Sequence, residues 1–309
     1  MGENLKTGFM PSVKKELLKN KYLYIMAIPV ILYYLIFCYL PMGGLVIAFK
    51  QYEISKGILA SRWVGLKYFK EFFSGIYFRR IFGNTLLISF YDILFGFPAP
   101  VIFALLLNEV RGQKFKKTVQ TITYLPHFIS LVVICGMIVD FFGRTGIISV
   151  MLSAFTGEPK NYMSDPKYFR RIYVITNIWQ NIGWDSIIYI AAIAGIDQEM
   201  YEAAVIDGAG RFRQIVSITV PGMASTIIIM LIMRIGQMLN VGYEKIILLY
   251  NSGTYETADV ISSYVYRMGL ANSRYSYSTA VSMFQSVINF ILLLGANTLS
   301  RKFSETSLF

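Results

Sequence analysis

The chain has 309 residues, of which 55% are apolar and only 15% charged, and its formal net charge is +11. A soluble domain carries roughly a quarter charged residues to cover its surface, so this composition excludes an ordinary water-soluble fold. The basic residues fall on both sides of the apolar runs, which excludes a nucleic-acid-binding protein and suits a chain lying beside anionic lipid headgroups.

In chain order, residues 1–21 form a basic tail with an amphipathic segment at Val13–Leu18. No charge occurs from Tyr22 to Phe49. This run is too long for the ~7–15-residue core of a signal peptide, and no small-x-small cleavage site follows, so it reads as a retained anchor. Residues 50–80 form an outer loop in which Trp63, Tyr68, Phe69, Phe72 and Phe73 have the spacing of a short interfacial helix. Ile81–Leu107 is apolar apart from Asp92, and a tight basic loop over 108–120 follows. Thr118–Val139 is again uncharged, and Asp140 follows it. Residues 143–171 contain the breakers Gly157, Pro159 and Asp165-Pro166. Ile172–Ile196 carries Asp185, Gly222–Gly242 carries Arg234, and Tyr275–Ser300 is uncharged. A third outer loop over 243–277 is rich in Tyr and Ser, and the C-terminal tail is short and polar. Each apolar run reaches the ~20 residues that cross a bilayer as a helix. The expectation is an all-α membrane protein with six spans, near 22–49, 81–107, 118–142, 172–196, 222–242 and 275–300. After the tail at 1–21, residues 22–309 form one transmembrane domain.

Cys38 and Cys135 lie in apolar runs and read as small buried hydrophobes. The single histidine, His127, has no nearby Cys or carboxylate and reads as structural rather than as a metal ligand. Asp92 and Asp140 also read as structural. Counting Lys and Arg gives 13 on the side of the termini against 15 on the other side, which does not decide orientation. Lys14, Lys15, Lys19 and Lys21 ahead of the first span favour cytoplasmic termini.

Residues 197–221 form a polar island between two spans. Asp197 is placed to cap a helix, with Glu199 and Glu202 in its first turn, where the helix dipole favours negative charge. Ala203 and Ala204 give a slim helical surface. Gly208 and Gly210 break the helix. Phe212, Ile215 and Ile218 make an apolar stripe at three-residue spacing, and Pro221 ends the segment. From physics alone, an ordinary interfacial helix is as good a reading as a docking element.

This segment resembles the EAA loop of permease subunits of binding-protein-dependent ABC importers. Glu202-Ala203-Ala204, Gly208, Ile218, Val220 and Pro221 stand at that pattern's offsets, with Val220 where Leu is usual. WVGLKYF at 63–69, Asn84-Thr85, and the stretches at 105–130 and 190–212 resemble the carbohydrate-uptake branch. The stretch MRIGQMLNVGYEKIILLYN at 233–251 resembles its complex-polysaccharide, lipoprotein-dependent sub-branch. The resemblance implies the maltose-permease type of fold and a coupling helix seated on a cytoplasmic ATPase. Glu202, Ala203, Ala204, Asp207, Gly208, Phe212, Ile218 and Pro221 would carry that role, and the loop would be cytoplasmic. It further implies a bacterial plasma-membrane location, a second related permease, an ATPase dimer, an extracytoplasmic solute-binding lipoprotein and an oligosaccharide substrate. The chain has no Gly-Lys dipeptide and so no phosphate loop; ATP and Mg are expected in the partner, with no cofactor in this chain.

Polar residues within spans are costly unless they face a cavity or one another. Asn177, Asn181, Asp185 and Tyr189 recur at four-residue spacing along one helical face, with Trp184 beside them. Arg234, Gln237 and Asn240 stand near the fifth span, and Ser282, Gln285 and Asn289 in the sixth. Such residues suit a sugar path, since amides and carboxylates bond hydroxyls and aromatic rings pack on sugar faces. They equally suit hydrogen bonding between helices. Asp185 and Arg234 are expected to form an ion pair, or Arg234 to meet a uronic-acid carboxylate. A peptide or amino-acid permease is the nearer alternative. An intramembrane enzyme is disfavoured because His127 has no GxSG partner and no two acidic residues lie close together within a span.

Overall fold

The computed structural model describes residues 19–303 and 307–308. The amphipathic segment at 13–18 and most of the C-terminal tail therefore lie outside the described residues. The chain divides into two compact units, residues 1–66 and 67–309.

In the first unit, α1 (Lys21–Phe49) is long and apolar enough to cross a membrane. Its apolar side chains are largely exposed, as befits a lipid-facing helix. A π turn at Leu35–Tyr39 and a tighter 3₁₀ turn from Gly43 complete it. A small antiparallel pair follows, β1 (Lys50–Gln51) against β2 (Arg62–Trp63), with Lys50 opposite Trp63. The short helix α2 (Gly57–Ala60) lies between the strands, and Trp63 stacks on Phe49 at 5.7 Å.

The second unit is helical. In order it contains α3 (Lys67–Ser74), α4 (Phe78–Glu109), α5 (Gln113–Phe128), α6 (Leu131–Phe142), α7 (Ile147–Thr156) and α8 (Pro166–Ala194). The polar island follows as α9 (Gln198–Ile206) and α10 (Arg211–Gly222). Then come α11 (Ala224–Gly236), α12 (Tyr243–Leu249), α13 (Tyr255–Ala258), α14 (Ile261–Tyr266) and α15 (Tyr275–Phe303).

Four stretches are long and apolar enough to span: α1, α4, Leu131–Thr156 and α15; the pair α10 and α11, bent by 60°, makes a fifth. The helix α8, 29 residues long, rises about 43 Å, enough to cross a bilayer. Its amides and Asp185 keep it off that apolar set.

Three boundaries differ from expectation. The third predicted span, 118–142, is interrupted: Ile129 and Ser130 are extended, so α5 ends and α6 starts afresh. Pro126 lies within α5, and the helix runs two residues past it before the break. Asp165-Pro166 opens α8 rather than merely breaking the chain, because the Asp165 carboxylate accepts from the Lys167 amide at 3.0 Å and proline fits the first helical position. The fifth span stops at Gly236, six residues early, and residues 237–242 form an irregular segment.

The helix α8 organises the bundle by packing along the later half of α4 and against α5. Gly183 permits the second contact, since a side chain there would run into the Thr123 carbonyl of α5. At one end of α8, Phe169, Ile172 and Tyr173 join Ile134 and Ile138 of α6 and Ile246 of α12. At its other end, Tyr189 and Ile193 meet Ala104 and Met223. A separate aromatic cluster ties α3 to α4 and α15, with Phe72 against Phe78 and Phe284 at 5.1 and 5.6 Å. So Phe72 of the expected interfacial helix is a core residue, 2% exposed.

Buried Asp259 fixes the remaining loop. Arg267 donates to both of its oxygens at 3.1 and 2.7 Å, and Arg80 approaches at 3.4 Å. Asn84 donates to the Asp259 and Glu256 carbonyls and accepts from Arg170 at 2.7 Å. Thr85 accepts from the Ile261 amide. The Asn84-Thr85 pair thus clamps the α13–α14 segment to α4.

Candidate functional site: a polar track between apolar helices

The site begins at Asp92, at the start of a π turn (Asp92–Gly96) within α4. One carboxylate oxygen accepts from Arg234 of α11, and the other accepts from the Asn177 amide of α8 at 3.0 Å. Asn181 donates to the Asn177 side chain at 3.2 Å, one turn along. His127 of α5 shares a 3.0 Å hydrogen bond with the Asn181 oxygen and stacks on Trp184 at 4.6 Å, the rings nearly parallel. Five polar side chains and an indole therefore link α11, α4, α8 and α5 in one chain of contacts.

This corrects two expectations. Asp92 is the ion-pair partner of Arg234. Asp185 lies near Arg234, lining two cavities with it, yet makes no ion pair. The lone carboxylate in an otherwise apolar run was the signal for Asp92; its rotation about α4 was not readable from sequence.

Three cavities adjoin. The central one, about 460 Å³, is lined by Asp92, Tyr173, Asn177, Arg234, Gln237 and Lys245 among others. A second, about 600 Å³, is lined by Trp184, Asp185, Tyr189, Arg234 and Gln237. A third, about 470 Å³, is lined by Asn240, Tyr243, Tyr266, Ser282 and Gln285. Arg234 and Gln237 are common to the first two, and Asn240 and Tyr243 to the first and third. The track follows α11 and the irregular segment after it.

Of the α8 face predicted from four-residue spacing, Asn177 and Asn181 line the central cavity and Asp185 and Tyr189 the second, while a small cleft is lined by Asn177, Asn181 and Asp185 together with Arg234. Tyr189 is 2% exposed and belongs mainly to the core. Gln285 and Asn289 serve helix packing: both donate to the Asn240 oxygen, at 2.8 and 3.0 Å, and the Leu239 amide donates to Asn289 at 3.0 Å. These bonds pin the 237–242 segment to α15. Asn289 lines none of the three cavities. Ser282 lines the third.

Sequence reasoning passed over Lys245, Gln180 and the Tyr243–Tyr266 pair, whose rings stack at 5.7 Å. Lys245 is 4% exposed, and its ammonium has no hydrogen-bond acceptor. It lies 5.3 Å from the Tyr173 ring centre. Burial pushes this group down to about 8. A lysine inside the apolar run after Gly242 was the available signal. Among the described residues, no group of three His, Cys, Asp or Glu side chains could hold a metal ion, and both cysteines are free.

The polar island folds as two helices. Asp197 caps α9, accepting from the Glu199 amide at 3.0 Å. Glu202 stands in the second turn rather than the first, and both Glu202 and Ala203 are exposed, while Ala204 is half-buried. Gly208 adopts φ +75°, the left-handed conformation that turns the chain out of α9. The expected stripe does not hold one face, since a π turn at Ile215–Thr219 rotates it: Phe212 is exposed and Ile218 buried. Val205, Ile206 and Phe212 together leave apolar surface uncovered, with Asp207 and Pro221 also exposed.

Residues 72–305 match the family described as the binding-protein-dependent transport system inner membrane component. The chain is 48% identical to Protein LplB of Bacillus subtilis (strain 168), over 94% of this chain and 92% of the relative. It is 43% identical to the polygalacturonan/rhamnogalacturonan transport system permease protein YteP of the same organism, over 95% and 92%. A chain in the crystal structure of a bacterial ABC transporter that imports the acidic polysaccharide alginate is 43% identical, with a TM-score of 0.87 over 94% of this chain and 99% of that one. A second structure, of an alginate ABC transporter with its pentasaccharide-bound periplasmic protein, gives a TM-score of 0.88. A polar track threaded between apolar helices, together with these likenesses, establishes that this chain belongs to the family of binding-protein-dependent transport system inner membrane components.

Proposed function

We propose that this chain is one permease subunit of an ATP-driven importer that moves oligosaccharides, derived from complex polysaccharides, into the cytoplasm. The observation that carries this reading is the continuous polar track along α11. Amides, hydroxyls and tyrosines line it, the groups that bond and stack on sugars. The polysaccharide importers among its relatives support the same substrate class. Family members are transport subunits rather than enzymes.

In this reading α8 supplies the sixth span, and both termini are cytoplasmic. A second related permease completes the wall of the track, and a solute-binding lipoprotein delivers sugar from outside. The ATPase dimer holds ATP and Mg. Its closure moves the coupling segment; Glu202, Ala203, Ala204, Asp207, Gly208, Phe212, Ile218 and Pro221 form or shape its docking surface. The exposed apolar side chains of Val205, Ile206 and Phe212 fit such a role, because a patch of this kind marks a contact surface. Movement of α9 and α10 is carried through the bend into α11, whose Arg234 and Gln237 line the track. Access then alternates between the two sides of the membrane.

Affinity purification from the native membrane tests this. A second permease and an ATPase are expected with the wild-type chain. Gly208→Trp, which cannot keep the left-handed turn without strain, should lose the ATPase and abolish uptake while membrane insertion persists. Normal uptake by that variant would sink the coupling role.

A further inference from the structure

Asn240 lines both the central and the third cavity, and so stands where they meet. Its amide can point only one way. Gln285 donates to the Leu239 carbonyl at 2.8 Å, which fixes its N–H₂ end towards the 237–242 segment. The Leu239 amide donates to the Asn289 oxygen, which leaves Asn289 its N–H₂ end for Asn240. Both neighbours therefore present donors, and Asn240 meets them with its oxygen. The Asn240 side chain is exposed, and its own N–H₂ group has no acceptor among the described residues. The third cavity also differs from the central one in charge. Asp92, Glu244, Arg234 and Lys245 all line the central cavity, whereas among the described residues no charged side chain lines the third. Its wall is made of Tyr243, Tyr266 and Tyr275 with Ser262 and Ser282. Tyr243 and Tyr266 stack on each other, yet both remain exposed.

We propose that the third cavity is an outer saccharide subsite for a further unit of the same sugar chain, with Tyr243 and Tyr266 as its stacking platform and Asn240 as the donor at its junction with the central cavity. This rests on the oligosaccharide reading above and on the topology that puts residues 243–277 outside, and it makes chain length a property that the track reads. The cavity volume of about 470 Å³ lies within the range of ligand pockets, about 300–1,000 Å³. An ionised group would meet no countercharge there and would lose its water, so the unit is held through hydroxyls and ring faces. Tyrosine suits both contacts, since it joins an apolar ring to a polar tip. The Asn240 N–H₂ group, oriented before the sugar arrives, loses no rotamer freedom on donating to a sugar oxygen. An oligosaccharide long enough to reach both cavities gains the second contact as an intramolecular event, and a shorter one does not.

The test uses the complete transporter with its binding protein in liposomes. The probe is a mixed pool of pectin- and hemicellulose-derived oligosaccharides, about two to eight units long, and the imported members are sized by mass spectrometry. Uptake of each length is divided by that of the shortest member carried, and this profile is compared with the wild type's, so that discrimination by the binding protein cancels. In Tyr266→Ala the longer members should fall roughly tenfold relative to the shortest, and Tyr266→Phe, which keeps the ring, should restore them. Asn240→Asp keeps an oxygen for Gln285 and Asn289 and exchanges only the free donor for an acceptor, so it should lower the longer members in the same way. A profile unchanged in both Tyr266→Ala and Asn240→Asp, with uptake intact or lowered equally at every length, overturns the proposal and leaves the oligosaccharide reading standing. If Tyr266→Ala carries nothing, the Asn240→Asp profile decides by the same criterion. Entry of no saccharide through the wild type overturns both.

Discussion

At Asp92 three helices meet through one carboxylate, and both of its oxygens are in use. Asp92→Asn would leave one acceptor and turn an N–H₂ group towards either Arg234 or Asn177, donor against donor. The expected cost is about 1–3 kcal/mol, read as a lower midpoint in thermal unfolding of the purified complex in detergent. Asp185→Asn, with no partner to lose, should stay within about 0.5 kcal/mol. Equal effects of the two substitutions would contradict the pairing seen here. The contrast also marks the limit of the sequence at this scale. The placing of Asp185 and Arg234 at similar depths on adjacent spans was legible, because position along an apolar run gives depth. Which side of each helix faced the other was not, because a single π turn in α4 turns Asp92 to where Arg234 meets it. Lys245 stayed hidden for a related reason: burial depends on what packs over α12, and no periodicity encodes that.

Among the elements, α8 was easy to locate and hard to classify. Its four-residue polar spacing announced one face, and that face does line the track. Its close approach to α5 rests on Gly183, which carries no signal separable from any other glycine in the sequence. Gly183→Val places methyl groups against the Thr123 carbonyl, a backbone atom that has nowhere to move, and the Tyr124 ring. Overpacking of this kind costs about 1–3 kcal/mol. Because His127 sits on α5 and Asn181 on α8, the variant should also loosen their contact. Loss of Trp184 fluorescence quenching by the stacked His127 would report it; unchanged emission and stability would argue against tight α5–α8 packing. The break between α5 and α6 was illegible, since Ile129-Ser130 contains neither glycine nor proline. At α9 the reverse held. Asp197 and Gly208 are local devices with fixed offsets, and both operate as their residue types imply.

For the whole molecule, the proposed topology sets the α9–α10 segment and the α12–α13 loop on opposite sides of the membrane. In a chain with Cys38 and Cys135 replaced by Ala, a cysteine at exposed Ser252 should react with an impermeant maleimide added outside intact cells. A cysteine at exposed Asp207 should react only after permeabilisation. Reaction of both from outside would reject the topology. Composition alone made the membrane class legible, because long uncharged runs have few other uses. The span count was less secure, since the helices that line a polar track are those whose apolarity is diluted. That dilution keeps α8 off the apolar set.

The partners in the Asp92–Arg234 pair are 142 residues apart in sequence. A ribosome adding about 5–20 residues per second needs roughly seven to thirty seconds to cover that distance. During this interval α4 has already left the ribosome with its charge unanswered, and only the later arrival of α11 supplies the countercharge. The first half of the chain is therefore an obligate intermediate rather than a finished piece. A chain that stops before Arg234 would hold Asp92 without that countercharge.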